Sequence, residues 1–185
     1  MKIRNKRRTP TQAKTREQYL WGAINQRLQI DVSYTGCSNQ FESLQEFKLW
    51  LPLQVGYQSR DNNGEYWQLD KDIAFPGNKV YSPDTCVFVP RSLNSLFKAK
   101  SGELPIGVSF HEASGKWCSR ISSSGWLGIY DTPLEAHKAW QRAKIEQLRD
   151  LDLSGLELDI KVYTGMESHI SKIESDMTHN RVSKL

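Results

Sequence analysis

The chain lacks any apolar run of the roughly 18 residues that a membrane-spanning helix needs. Its first lysines and arginines precede Thr9-Pro10-Thr11-Gln12, not an apolar stretch, so no signal peptide and no membrane partner are expected. Cysteine is scarce. Cys37, Cys86 and Cys118 are far apart, which excludes a zinc knuckle and a disulfide framework. An odd, unframed set points to a reducing cytoplasm. Histidine is scarce too: the 4 residues are His111, His137, His169 and His179, so the first half has none. Acid is missing from residues 1–16, which instead carry Lys2, Arg4, Lys6, Arg7, Arg8, Lys14 and Arg16.

The net charge of +4 is therefore unevenly placed, and the rest of the chain is slightly acidic. A terminal block of like charge suits a polyanion. It suits a solubilising tail equally well. Hydrophobic residues make up 38% of 185 positions, enough for one or two small cores.

Residues 15–30 read as an amphipathic helix with Tyr19, Ala23, Ile24, Leu28 and Ile30 as its stripe. Ser43-Leu44-Gln45-Glu46 has the form of a capping box. The helix it starts would bury Leu44, Phe47, Leu51 and Trp50 and end at Pro52. Over 66–73, Trp67, Leu69, Lys71 and Ile73 alternate with Tyr66, Gln68, Asp70 and Asp72, the pattern of a strand with one apolar face. Pro76-Gly77-Asn78 turns the chain. A second short strand over 86–89 and a helix over 92–97 follow.

The polar segment 98–103 marks a domain boundary. Three strands come next, over 106–111, 116–122 and 126–130, joined at Ser114-Gly115 and Ser123-Ser124-Gly125. Thr132-Pro133-Leu134-Glu135 then opens a helix, with Thr132 as N-cap, Pro133 as first helical residue and Glu135 as the capping-box acid. Its apolar side is Ala136, Ala139, Trp140, Ala143 and Leu148. Beyond 150 the pattern is weak: 156–163 reads as one short element and the tail after Thr164 as loosely ordered. The class is α+β: a basic arm (1–16), a helical plus ββα unit (17–98), a sheet-and-helix unit (104–150) and an extension (151–185).

Strand alternation sorts the second unit into faces. Val108, Phe110, Trp117, Ile121, Leu127 and Ile129 are expected inside. Ser109, His111, Arg120, Ser122 and Trp126 are expected outside, beside Cys118, with Lys116 at the first turn. A solvated sheet face explains the polar members but not an outward Trp. Arg can bridge guanine O6 and N7, and Ser, His and Lys reach base edges or phosphates. His137 is expected on the exposed side of the helix.

Gly107-Val108, Lys116-Trp117, Ile121, Trp126-Leu127-Gly128, Asp131-Thr132, Glu135-Ala136 and Ala139-Trp140 together resemble an AP2 domain over about 40 residues. The resemblance implies a three-stranded sheet in the DNA major groove with the helix behind it. It also implies contacts from Ser109, His111, Lys116, Arg120, Ser122 and Trp126. Ser109 and Ser122 stand where that family often has arginine, so Arg4, Lys6, Arg7 and Arg8 of the arm are expected to help on phosphate.

Residues 67–97 resemble the ββα-metal (HNH) centre of phage homing endonucleases, which often carry an AP2-like module. In that pattern an Asp-His pair ends the first strand, an Asn follows, and a His or Asn lies on the helix. Here Lys71 stands where the base histidine is expected, beside Asp70 and Asp72. Thr85 replaces an Asn, and Asn94 matches the last position. The resemblance implies Asp70 and Asn94 as ligands of Mg²⁺, needed only if the centre cuts. A protonated Lys71 cannot accept a proton unless strongly desolvated, which leaves Asp72 as a substitute base.

Two readings follow. One is a domesticated, catalytically impaired endonuclease that binds duplex DNA as a repressor, requires no cofactor and acts in a bacterial host's cytoplasm. The other is an active metal-dependent endonuclease or nickase. A homodimer would suit a palindromic site, though no stripe marks a dimer seam. An adaptor using Trp50 and Trp126 is the third reading, and it predicts no salt-dependent DNA affinity.

Overall fold

In the computed structural model, which describes residues 13–98, 102–122 and 125–185, helix and short strands mix as an α+β protein. Arg4, Lys6, Arg7 and Arg8 lie outside the described residues, as do Ser123 and Ser124. Helix α1 (Arg16–Ile30) starts at Thr15, which forms a capping box with Gln18. Arg16 is thus helical, not part of the arm. Its guanidinium lies over the rings of Tyr57 and Tyr66 and donates to the carbonyls of Tyr57 and Trp67.

The stripe of α1 is rotated from expectation. Ile24 is buried, with Leu20, Trp21 and Leu28 partly buried beside it, while Tyr19 and Ile30 are exposed. The core side is chosen by what α1 packs on, namely Phe47 of α2 (Leu44–Trp50). Ser43 caps α2 by accepting from Glu46 N–H, but the Glu46 carboxylate accepts from Glu42 N–H, so the expected reciprocal box is shifted by one residue. Phe47 and Leu51 are buried. Trp50 packs on Phe41, Phe47 and Phe88.

Two small sheets follow. β1 (Ser38–Asn39) pairs parallel with β3 (Val80–Tyr81), a pairing that local patterns do not reveal. β2 (Gln68–Asp70) pairs antiparallel with β4 (Val87–Val89), and α3 (Arg91–Leu96) comes directly after. The order strand, strand, helix is as expected. The burial phase also holds, with Trp67, Leu69, Lys71 and Ile73 all buried, but the strand expected over 66–73 ends at Asp70 and Lys71 and Ile73 lie in the bend after it.

The third sheet runs β5 (Val108–His111), β6 (Lys116–Ile121) and β7 (Gly125–Tyr130), antiparallel throughout. α4 (Pro133–Arg149) packs on it, opened by the Thr132–Glu135 capping box. A β-carbon at Gly107 would lie 2.2 Å from Trp140 Cδ1, so only glycine lets the indole close on the start of β5. Ala136, Ala139, Trp140 and Leu148 are buried; Ala143 is half-buried.

The largest departure is at the C-terminus. Residues 160–178, expected to be largely loose, form the long helix α5 (Ile160–Thr178). Val162, Met166, Ile170 and Ile173 enter one core with Phe47, Phe88 and Leu93 of the first half and Ile145 and Leu148 of α4. The two units therefore share a core despite the polar segment between them. Burying such side chains contributes about 1.5–3 kcal/mol each, which a loose tail would forgo.

Candidate nucleic-acid interface

The register brings most of the expected DNA-contacting residues onto one face. Ser109 lies opposite Cys118, His111 opposite Lys116, and Arg120 opposite Trp126. Paired residues share a face, so Ser109, His111, Lys116, Arg120 and Trp126 stand together. Ser122 is exposed just beyond the end of β6.

Trp126 is the centre of this face and is 47% exposed. The Arg120 guanidinium carbon lies 5.1 Å from its ring centroid. The His111 ring meets it edge-on at 5.9 Å. At that distance the guanidinium is within cation–π range of the indole and keeps its N–H donors. His111 Nδ1 is 2.8 Å from Ser114 Oγ, which orients the ring. Ser109 Oγ lies 3.0 Å from Cys118 Sγ. Lys116 Nζ is 2.7 Å from Asp131, which raises the Lys116 pKa through their hydrogen bond and charge.

Two inward residues do not behave as expected. A bulge between Ser119 and Arg120 skips Leu127 in the pairing, so Ile129 pairs with Cys118 and falls on the outer face, 41% exposed. Phe110 shares the α4 side with Trp117 but stays half-exposed against that ring. Period-2 alternation cannot register a bulge.

The β2–α3 centre is held by its own hydrogen bonds. Lys71 is only 5% exposed. Its ammonium pairs with Asp72 Oδ1 at 2.5 Å and donates to Asn78 O at 3.1 Å. Asn78 returns the bond through its amide, to Lys71 O and Val80 O, so it orients this loop. Asp70 Oδ1 accepts from Asp72 and Ile73 N–H. Burial nevertheless raises the Asp70 pKa. The Asn94 amide donates to Gln68 Oε1 at 2.9 Å. Thr85 Oγ1 donates to Val80 O and holds the turn before β4.

Asp70 Oδ1 accepts from the backbone and the Asn94 amide nitrogen donates to Gln68, so these bonds leave Asp70 Oδ2 and Asn94 Oδ1 unused; no three His, Cys, Asp or Glu side chains converge among the described residues.

Two histidines are structural in ways the sequence does not announce. His137, expected on the exposed side, is fully buried. Its Nδ1–H donates to Ile106 O at 2.9 Å, its Nε2 accepts from Ser183 N–H at 3.0 Å, and its ring stacks on Trp140. Both nitrogens are used, so it pins the C-terminal residues to α4. His169 of α5 is buried against Phe97 and donates from Nε2 to Asp72 O at 3.2 Å. Its other nitrogen is buried without a hydrogen-bond partner among the described residues. Burial lowers both pKa values. The spacing of Val162, Met166, Ile170 and Ile173 was the signal that would have placed His169 on a packed helix. No protein-family model, curated protein or solved structure matches the chain.

Proposed function

We propose that the chain is a sequence-specific double-stranded DNA-binding protein that represses transcription by occupying its site. The outer face of β5–β6–β7 reads the major groove. The observation that carries this is the half-exposed Trp126 held between Arg120 and His111. An exposed indole on a sheet adds little to stability, whereas beside a planar cation and hydroxyls it suits a base edge, a thymine methyl or a sugar. Arg120 is the reader of a guanine, and Ser109, Ser122 and Lys116 serve phosphate or base edges. Arg4, Lys6, Arg7 and Arg8 add sequence-independent phosphate attraction.

In this reading binding needs no cofactor, the protein acts on DNA in a bacterial cytoplasm, and a homodimer matches a palindromic site. The β2–β4–α3 unit is a support derived from an HNH-type nuclease. A buried Lys71 already paired with Asp72 is poorly placed to take a proton from water at a phosphodiester. The adaptor reading loses Trp50, which packs among aromatic rings.

The test recovers bound fragments from a random duplex pool in EDTA, then incubates them with Mg²⁺ or Mn²⁺ on the protein. Enriched fragments that stay intact on a denaturing gel support the repressor. Breaks at a fixed distance from the enriched site, lost in Asp70→Ala, establish the nuclease instead. Absence of any enriched site removes both.

A further inference from the structure

A cleft of about 310 Å³ opens between α3 and the β5–β6 edge of the DNA-facing sheet. Ser95 and Lys98 line it from the α3 side, Ser109, Arg120 and Ser122 from the sheet, and Lys144 of α4 and Leu185 complete the lining; among the described residues no Asp or Glu lines it. Lys144 is 4% exposed. Its ammonium donates to Leu96 O at 2.6 Å, capping the end of α3, and to Gln147 Oε1 at 2.9 Å. Among the described residues no carboxylate pairs with it. Burial without a counter-charge lowers its pKa to about 8.

A buried ammonium usually has an acid partner, because desolvation of a lone charge is costly. Here no acid partner stands beside Lys144 among the described residues, and Lys98 and Arg120 line the same cleft. Arg120 also belongs to the base-reading face, so whatever fills the cleft sits next to the bases.

We propose that this cleft seats one backbone phosphate of the duplex whose bases lie against β5–β6–β7. The inference rests on the DNA-binding reading and deepens it. The diester anion supplies the charge that Lys144 lacks, Lys98 and Arg120 approach it from the two walls, and Ser122 lies within the same rim. The seat also gives the first half of the chain a task. By presenting Ser95 and Lys98 from α3 and its end, it fixes the register of the sheet on the duplex, as phosphate contacts do.

The test uses the full chain with Ser95→Asp and Lys98→Ala. Ser95 is exposed and its hydroxyl only donates to Ser92 O, so a carboxylate there leaves the fold intact, which an unchanged thermal midpoint verifies. Affinity for an enriched duplex is measured across salt. The expected result for Ser95→Asp is about tenfold weaker binding, a log–log salt slope shallower by about one, and an unchanged sequence preference. Lys98→Ala acts in the same direction. Affinity and slope equal to wild type in both variants, while Trp126→Ala weakens binding, would overturn the seat and leave the sheet reading standing. No salt-dependent duplex binding by the wild type overturns both. Inorganic phosphate titrated alone is the remaining arm. If it perturbs the Lys144 ammonium resonance and Ser95→Asp blocks this without touching duplex affinity, the ligand is a free anion and the duplex seat is wrong.

Discussion

The backbone of Gly165 lies directly on the carbonyl of Ile73: a β-carbon at 165 would sit 2.0 Å from that oxygen and 2.7 Å from Ala74 Cα. One turn further along α5, His169 donates to the carbonyl of Asp72. The loop after β2 is therefore the seat of α5. Gly165→Ala forces the helix off this seat and is expected to cost about 1–3 kcal/mol, the range of overpacked contacts. Urea unfolding reads the loss, and amide exchange locates it in 160–178. A variant as stable as wild type would mean that α5 does not dock here.

Lys71→Ala tests whether Lys71 braces the β2–α3 centre or contacts the duplex. It removes a buried stem, breaks the bonds to Asp72 and Asn78, and leaves a cavity. The expected loss of stability is about 2–4 kcal/mol. Duplex affinity per folded molecule should be unchanged. Lost DNA binding at full stability would place Lys71 at the interface and contradict the geometry.

Acid sensitivity should trace to His137 and His169. Burial lowers both pKa values below the usual 6.5. The folded state therefore binds fewer protons than the unfolded state between the lowered values and 6.5. Their contribution is complete above pH 6.5 and is lost as pH falls through that window. Each group adds a slope of up to about 1.4 kcal/mol per pH unit. Denaturant midpoints between pH 7.5 and 5 test this. His137→Phe should flatten the wild-type slope, and an identical slope would show that His137 does not titrate with unfolding.

The sequence was most legible where one local rule decides. The Thr132-Pro133-Glu135 start of α4 is a complete local program, and it formed as read. The alternation held through Trp67 and Leu69 of the strand region, and burial continued at Lys71 and Ile73 in the bend beyond Asp70. Failures occurred where the deciding partner is distant in sequence. Tyr19 and Ile30 fit a helical stripe, but α2 selects the Ile24 side. Arg16 reads as one more cation of the arm until Tyr57 and Tyr66 enclose it. Ile129 was misplaced by a bulge that alternation cannot show. α5 was missed because its polar residues obscure a clear apolar spacing, and Gly165, which looks like a breaker, is there for close approach. Of the candidate interface, the face itself was legible. The cleft at its edge was not, since α3 and β5 meet only in the fold.

The measurement that tests the central claim most directly is duplex selection with the wild type and with Arg120→Ala, read at each base position. The account predicts one enriched motif, Arg120→Ala weakening binding by about 1–3 kcal/mol, and relaxed preference at a single guanine. Trp126→Ala weakens binding to the same motif. A wild-type chain that enriches no motif, or an Arg120→Ala chain with unchanged affinity and preference at every position, would contradict it.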